Sequence, residues 1–296
     1  MIEKQLPQEI DTGNEAPVNK PLIYDLHTHT IASDGYLTPS ELIQRAVEKE
    51  VSVLAITDHD TTAGLQEAHQ YINEQNLSLQ LINGVEISTA WQGFDIHIVG
   101  LNIDPMNPVL VERLADQKQR RQQRALNIAE KLEKVRIPQP LAGTMAIAAG
   151  AELTRAHFAR YLLEIGQVNS LEKAFTKYLA KGRSAYVAPC WCTIEEAVQA
   201  IHAAGGKAIL AHPTRYDLSA KWLRRLIVDF KEMNGDGLEV SLSQQSIAQR
   251  QQMARYTVEY ELLASAGSDF HRACMWLDIG RNIWLPEDVK PVWLYW

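Results

Sequence analysis

The sequence predicts an α/β protein built from parallel βα units, with a block of helices set into the series. Three observations carry this. Short apolar runs rich in β-branched residues alternate with amphipathic helical stretches, the alternation stops between about Val109 and Leu179, and it resumes at Thr193. At 296 residues the chain suits two domains, or one large barrel carrying an insertion.

The elements follow in order. Residues 1–20 are polar, contain Pro7 and Pro17 and lack periodicity, so they read as a flexible tail. The first half then alternates strand and helix: strand 22–26, helix 39–50, strand 52–57, helix 62–74, strands 79–88 and 94–101. Thr38-Pro39-Ser40-Glu41 marks the first helix start, with Thr38 as N-cap, Pro39 in the first turn and Glu41 closing a capping box. From Val109 to Leu179 the pattern is helical with long polar faces and holds no convincing strand. The series returns as helix 193–204, strand 207–211, helix 219–232, strand 237–240, helix 246–259 and strand 262–266, ending in a strand-like 282–285 and a Trp-rich tail. This gives a barrel of residues 21–108 and 184–296, interrupted by a helical cap subdomain, 109–183.

Composition narrows the function. With 46% hydrophobic and 22% charged residues the chain is neither disordered nor fibrous. No window reaches the roughly 18 apolar residues of a membrane span, and the N-terminus lacks a signal-peptide core, so a cytoplasmic protein is expected. Cys190, Cys192 and Cys274 are too few for a disulfide framework and too closely spaced for a typical thiolate zinc site. A net charge of −7 excludes a globally basic nucleic-acid binder, although residues 112–136 carry a local excess of Lys and Arg, including Lys118, Arg120, Arg121 and Arg124. That stretch reads either as a guide for RNA or as a solvated helix face.

The chemistry lies where strands end. His27 and His29 form an H-x-H pair, which puts both imidazoles on one face of a strand, and Asp34 follows in the loop. Asp58-His59 closes the second strand, Glu86 falls in the third and His97 in the fourth; His212 and Asp269-Phe270-His271 close later ones. Catalytic groups of parallel barrels collect at these ends. Burying six imidazoles and three carboxylates together without a metal would cost on the order of 1 to 3 kcal/mol for each unsatisfied group. Coordination removes that cost.

The ordered set H-x-H, T-D-H, G-V-E, A-H-P and S-D-F-H resembles the PHP family of metallophosphoesterases, from about Pro21 to the C-terminus. Within that family the stretches 24–30, 55–62, 96–101, 154–160 and 191–195 resemble the branch of bacterial 5′-3′ exoribonucleases that also hydrolyse 3′,5′-nucleotide bisphosphates. The resemblance implies a distorted (β/α)7 barrel holding three divalent ions, manganese foremost, with iron or zinc compatible with the donors. His27, His29 and Asp269 would hold the first ion. Glu86 would bridge it to a second bound by His97 and His212, and Asp34, His59 and His271 would hold the third. Such a site carries net positive charge and attracts phosphate.

Asp58 is a candidate catalytic residue, either protonating the leaving oxygen or orienting a ligand. Arg155 and His157, at the start of a helix opened by Thr154, and Lys181 and Arg183 are candidate phosphate contacts. The chain departs from the branch at Thr214 and at 181–184, which weakens the phosphate contacts more than the metal set. The expected substrates are 5′-monophosphorylated RNA, as in rRNA 5′-end maturation, and bisphosphonucleotides such as pAp; no membrane and no obligate protein partner are expected. Three alternatives stand beside this reading: a histidinol-phosphatase type of enzyme, an amidohydrolase with one or two ions, and an inactive binding barrel.

Overall fold

A computed structural model describes residues 22–296; the expected tail, 1–20, lies outside the described residues. The chain forms β1 (Tyr24–Asp25), α1 (Pro39–Glu48), β2 (Val53–Ile56), α2 (Gly64–Glu74), β3 (Gln80–Trp91) and β4 (Phe94–Leu101), and then a helical run. That run comprises α3 (Pro108–Lys134), α4 (Pro140–Ala148), α5 (Arg155–Glu164) and α6 (Leu171–Ala174), extended by a π-helical turn, Phe175–Leu179. The second half holds α7 (Ile194–Ala203), β5 (Lys207–Leu210), α8 (Ala220–Glu232), β6 (Gly237–Leu242), α9 (Ile247–Glu259) and β7 (Leu263–Gly267). No described helix is long and apolar enough to cross a membrane.

Seven strands lie side by side in chain order. The ends meet where the Leu26 N–H donates to the Ala266 carbonyl at 2.9 Å and the His29 N–H to the Phe270 carbonyl at 2.9 Å, which nearly closes the barrel. The pairs β1–β2, β2–β3, β5–β6 and β6–β7 are parallel, as expected from the βα pattern. β4 is antiparallel to both neighbours, which the pattern did not predict. The physical reason is a two-residue hairpin: Gln92 at φ 49° and Gly93 at φ 79° turn the chain back immediately, leaving no room for a crossover helix.

Capping chemistry sets the helix starts. Thr38 and Glu41 form the expected capping box, and Thr193–Glu196 and Ser246–Gln249 repeat it. Helices α1 and α2 bury Leu42, Ile43, Leu65 and Ala68 against the outer face of β2. Inside the barrel, Leu26, Val53, Ala55, Val99 and Ile209 form an apolar plug completed by Val292, with Trp293 and Trp296 packed against it. The Trp293 ring stacks on Tyr24 at 4.0 Å, so the tail closes one end of the barrel. The expected strand 282–285 does not form: Asn282 and Trp284 are held by Arg250, Ser243 and Ser241 rather than by a strand ladder. The helical run packs on a separate core that includes Ile128, Leu132, Phe158 and Leu162.

Candidate metal centre

At the barrel end opposite the tryptophan plug the nine expected donors converge. They fall into four groups whose ligand atoms all lie within 4.8 Å of one another: His29, Asp34, His59 and His271; His27, His29 and Asp269; His27, Glu86 and His212; and His59, Glu86 and His97. His97 and His212 thus stand in different groups, joined only through Glu86. His97 Nδ1 and His212 Nε2 each lie 2.9 Å from Glu86 Oε1. The Nε2 atoms of His27 and His29 are 3.1 Å apart, close to the separation of two donors each about 2.1 Å from one ion.

The local chain is shaped to bring these groups in. A Cβ on Gly267 would stand 2.4 Å from the His27 Cβ and 2.9 Å from Glu239 Oε1, so only glycine lets β7 pass behind the first histidine. His212, at φ 31°, and Asp269, at φ 51°, occupy the left-handed region that side chains disfavour, a strain typical of functional sites.

The polar atoms indicate what the cluster accommodates. His29 Nδ1, Asp34 Oδ1, His59 Nδ1, Glu86 Oε2 and His212 Nδ1 are buried without a hydrogen-bond partner among the described residues. His59 Nδ1 and Glu86 Oε2 lie only 2.9 Å apart, yet they are not aligned as a hydrogen bond. Atoms so close and unaligned point past each other towards a shared occupant, and imidazole with carboxylate is the donor chemistry of a divalent transition metal. The residues therefore fit the metal centre the sequence implies.

Electrostatics agree. Burial would raise the Glu86 carboxyl, but His59, His97 and His27 hold it well below the usual range. Asp34 behaves likewise against His59 and His271. Burial drives His29, His97 and His212 below the ordinary imidazole value, the neutral form a metal requires. His27 differs: burial pushes it down, but Glu239 and Glu86 carry it up to about 10.

Supporting residues emerge that sequence reasoning missed. Glu239 accepts from His27 Nδ1 at 2.9 Å and from the His212 backbone N–H at 2.5 Å, orienting two donors at once. Its place near the end of a parallel strand was the available signal. Arg215 pairs with Asp269, the Tyr216 hydroxyl accepts from the His97 N–H at 2.9 Å, and Asp25 ties down Ser268 and Gly280.

Asp58 is positioned for support. One oxygen accepts from the Thr30 N–H at 2.7 Å and the Ser33 hydroxyl at 2.6 Å, the other from the Thr30 hydroxyl at 2.6 Å. Both oxygens thus hold the loop that presents Asp34, and burial raises the carboxyl.

Beside the donors opens a cavity of about 130 Å³ lined by Asp34, His59 and His97 on the barrel side and by Arg121, Arg124, Arg155, Phe175 and Trp191 on the other. Unlike Lys118 of the same stretch, which is exposed, Arg121 and Arg124 depart from the solvated-face reading of residues 112–136. Both are buried, Arg121 bonds Asp60 at 2.7 Å, and Arg124 lies over the Trp191 ring at 4.7 Å. Arg155 pairs with Asp95 at 3.1 Å. His157 does not line the cavity: its Nδ1 accepts from the Thr154 N–H at 3.1 Å, capping α5. Lys181 and Arg183 are exposed outside the cavity, with the Lys181 ammonium 5.1 Å from the centre of the Phe94 ring. Cys190, Cys192 and Cys274 are free, and none belongs to a donor group.

A nearly closed seven-stranded barrel with imidazoles and carboxylates massed at one end is the architecture of a metal-centred hydrolase. Residues 25–133 match the PHP domain model, and the chain belongs to the PHP family, in the branch that its motifs indicate. Over 278 residues it is 54% identical to the 5'-3' exoribonuclease Rnm of Escherichia coli (strain K12), covering 94% of this chain and 95% of that protein. It is 39% identical to a 3',5'-nucleoside bisphosphate phosphatase of Chromobacterium violaceum, covering 91% and 94%. A solved structure from Chromobacterium violaceum, described as an amidohydrolase with bound sulfate and no metal, superposes with a TM-score of 0.85 at 38% identity, covering 92% of this chain and 95% of that one.

Proposed function

We propose that this chain is a metal-dependent phosphoric ester hydrolase that releases 5′-mononucleotides from 5′-monophosphorylated RNA and hydrolyses 3′,5′-nucleotide bisphosphates such as pAp. One observation carries the reading: nine donors converge at one barrel end, and three of them, Asp34, His59 and His97, line a cavity whose facing wall carries Arg121, Arg124 and Arg155. The relatives with exoribonuclease and bisphosphate phosphatase activities span nearly the whole chain and support it. In both reactions the bond that breaks joins a 3′ oxygen to phosphorus, so one site serves both.

The donor set would hold three divalent ions, with manganese the expected metal. His27, His29 and Asp269 would form one site and Asp34, His59 and His271 another, while Glu86 would join His97 and His212, which stand in separate donor groups, in the third. Bound there, the ions acidify water and neutralise charge on the phosphoryl oxygens. Glu239 and Asp58 keep the donors in register. Arg155 and Arg124 clamp the phosphate one nucleotide from the scissile bond, and His157 holds the helix start that presents Arg155. Lys181 and Arg183 lie outside that clamp. Residues 109–183 act as a cap over the barrel formed by 21–108 and 184–296, and the free thiols suit a cytoplasmic enzyme.

The test incubates manganese-reconstituted protein with pAp and with a 5′-phosphorylated RNA oligomer. Release of inorganic phosphate from the first and of 5′-mononucleotides from the second, both abolished by a chelator, is the expected result. A protein that retains metal but turns over neither substrate overturns the reading.

A further inference from the structure

The cavity beside the donors, about 130 Å³, is smaller than a nucleotide, so an RNA strand must lie almost entirely outside it. On another side of Asp34 the surface changes character. Tyr36, half-exposed, follows Asp34 by two residues, and its N–H donates to the His271 carbonyl at 2.9 Å. The Arg160 guanidinium lies 3.8 Å from the centre of the Tyr36 ring and donates to the Asp34 carbonyl. A second guanidinium, from exposed Arg272, stands 5.5 Å from the same ring.

The loop that begins at His271 carries this surface outward. Met275 and Trp276 are 73% and 69% exposed, among the most exposed large apolar side chains described. They are not on a frayed segment. The Gly280 N–H is anchored on Asp25 at 2.8 Å, the Cys274 N–H donates to the Leu277 carbonyl at 2.9 Å, and Arg281 donates to the Met275 carbonyl at 2.7 Å. A braced loop therefore pays the cost of holding an indole in water. The one acid between 272 and 282, Asp278, is engaged by Arg45 and Lys49 at 2.7 and 2.9 Å, so no carboxylate of this loop is left to offset Arg272.

Exposed aromatic rings interleaved with arginines form the surface on which single-stranded nucleic acid binds, bases stacking on rings while guanidinium groups follow the phosphates. We propose that Tyr36, Arg160, Arg272 and Trp276 form the track for the RNA strand downstream of the scissile phosphate. This rests on the exoribonuclease reading of the neighbouring site. The track engages polymer alone, because a bisphosphonucleotide ends at its scissile 3′ phosphate and has no strand beyond it, and so it sets the preference between the two substrate classes. Its partner is RNA rather than protein because the charge is unbalanced and positive and the patch adjoins the hydrolytic centre.

The test compares wild type with Trp276→Ala and with Arg272→Gln, neither of which is a proposed metal ligand or lines the cavity. KM is measured for pAp, for a 5′-phosphorylated dinucleotide and for a 5′-phosphorylated 12-residue RNA, chosen as roughly the span of a stacking track. Binding of a 3′-fluorescein-labelled 2′-O-methyl RNA is followed by anisotropy across a salt series. The expected result is a ~10-fold rise in KM and in dissociation constant for the long RNA. pAp and the dinucleotide should stay within about twofold, and Arg272→Gln should flatten the salt dependence. Long RNA unaffected in both variants, as a protein-docking patch would give, overturns the track, as does an equal loss on all three substrates. Wild-type protein inactive on every substrate would instead overturn the parent reading.

Discussion

The two walls of the cavity solve opposite problems. On the barrel side buried donors are left without partners: five nitrogen and oxygen atoms of His29, Asp34, His59, Glu86 and His212 have none among the described residues, and of these Asp34 and His59 line the cavity itself. On the helical wall the charges arrive already paired. Arg121 bonds Asp60 and Ser88, while Arg124 and Arg155 share Asp95; Arg124 Nε is buried without a partner among the described residues. Those acids come from the barrel: Asp95 lies on β4 and Asp60 follows His59. The barrel thus spends polar burial on an occupant that is not a side chain and also fixes the arginines that face it. On the proposed reading the first wall reacts and the second positions.

The contrast breaks in graded ways. The largest effect is expected at Glu86, which belongs to two donor groups. Glu86→Ala should lower retained metal in elemental analysis and cut pAp turnover by more than the ~100-fold typical of losing only a supporting partner. Full metal content and near-normal turnover would show that the unpaired atoms do not serve an ion.

A smaller, different effect belongs to the helical wall. Arg155→Ala should raise KM for 5′-phosphorylated ends by ~10-fold, somewhat below the full loss of a charge-assisted contact because Asp95 already pairs the cation. Metal content should not change. A fall in bound metal would mean that the walls are not separate in function.

The smallest effect concerns stability. Burial lowers His157 to about 4, and its neutral ring accepts the Thr154 N–H that starts α5. In the unfolded chain this ring takes up a proton near pH 6.5, whereas the folded chain resists until about 4. The unfolded state therefore binds more protons across that window, and stability falls as pH drops from 6.5 towards 4. Wild type should lose on the order of 1 kcal/mol more than His157→Gln between pH 7 and 5, read as the difference between their denaturation midpoints. Parallel pH profiles would remove His157 from the helix start.

Much of the barrel end was legible because its signals are local. The H-x-H pair needs only the two-residue period of a strand, and His59, His212 and His271 each follow a short apolar run whose end marks their depth. Glu239 escaped notice because a lone Glu in an apolar strand lacks a motif; its role exists only because His27 and His212 come from other strands. Arg121 and Arg124 were hidden for the opposite reason: in a polar helix they look like solvated charges until Asp60, Asp95 and Trp191 fold against them.

What the linear chain determined by itself was which residue types stand at which strand ends, since backbone periodicity and helix capping act over a few residues. The division of donors among four groups and the burial of the α3 arginines were decided only in three dimensions. Each depends on contacts between segments far apart in sequence, and the electrostatic energy of a buried charge is set by the partners that surround it.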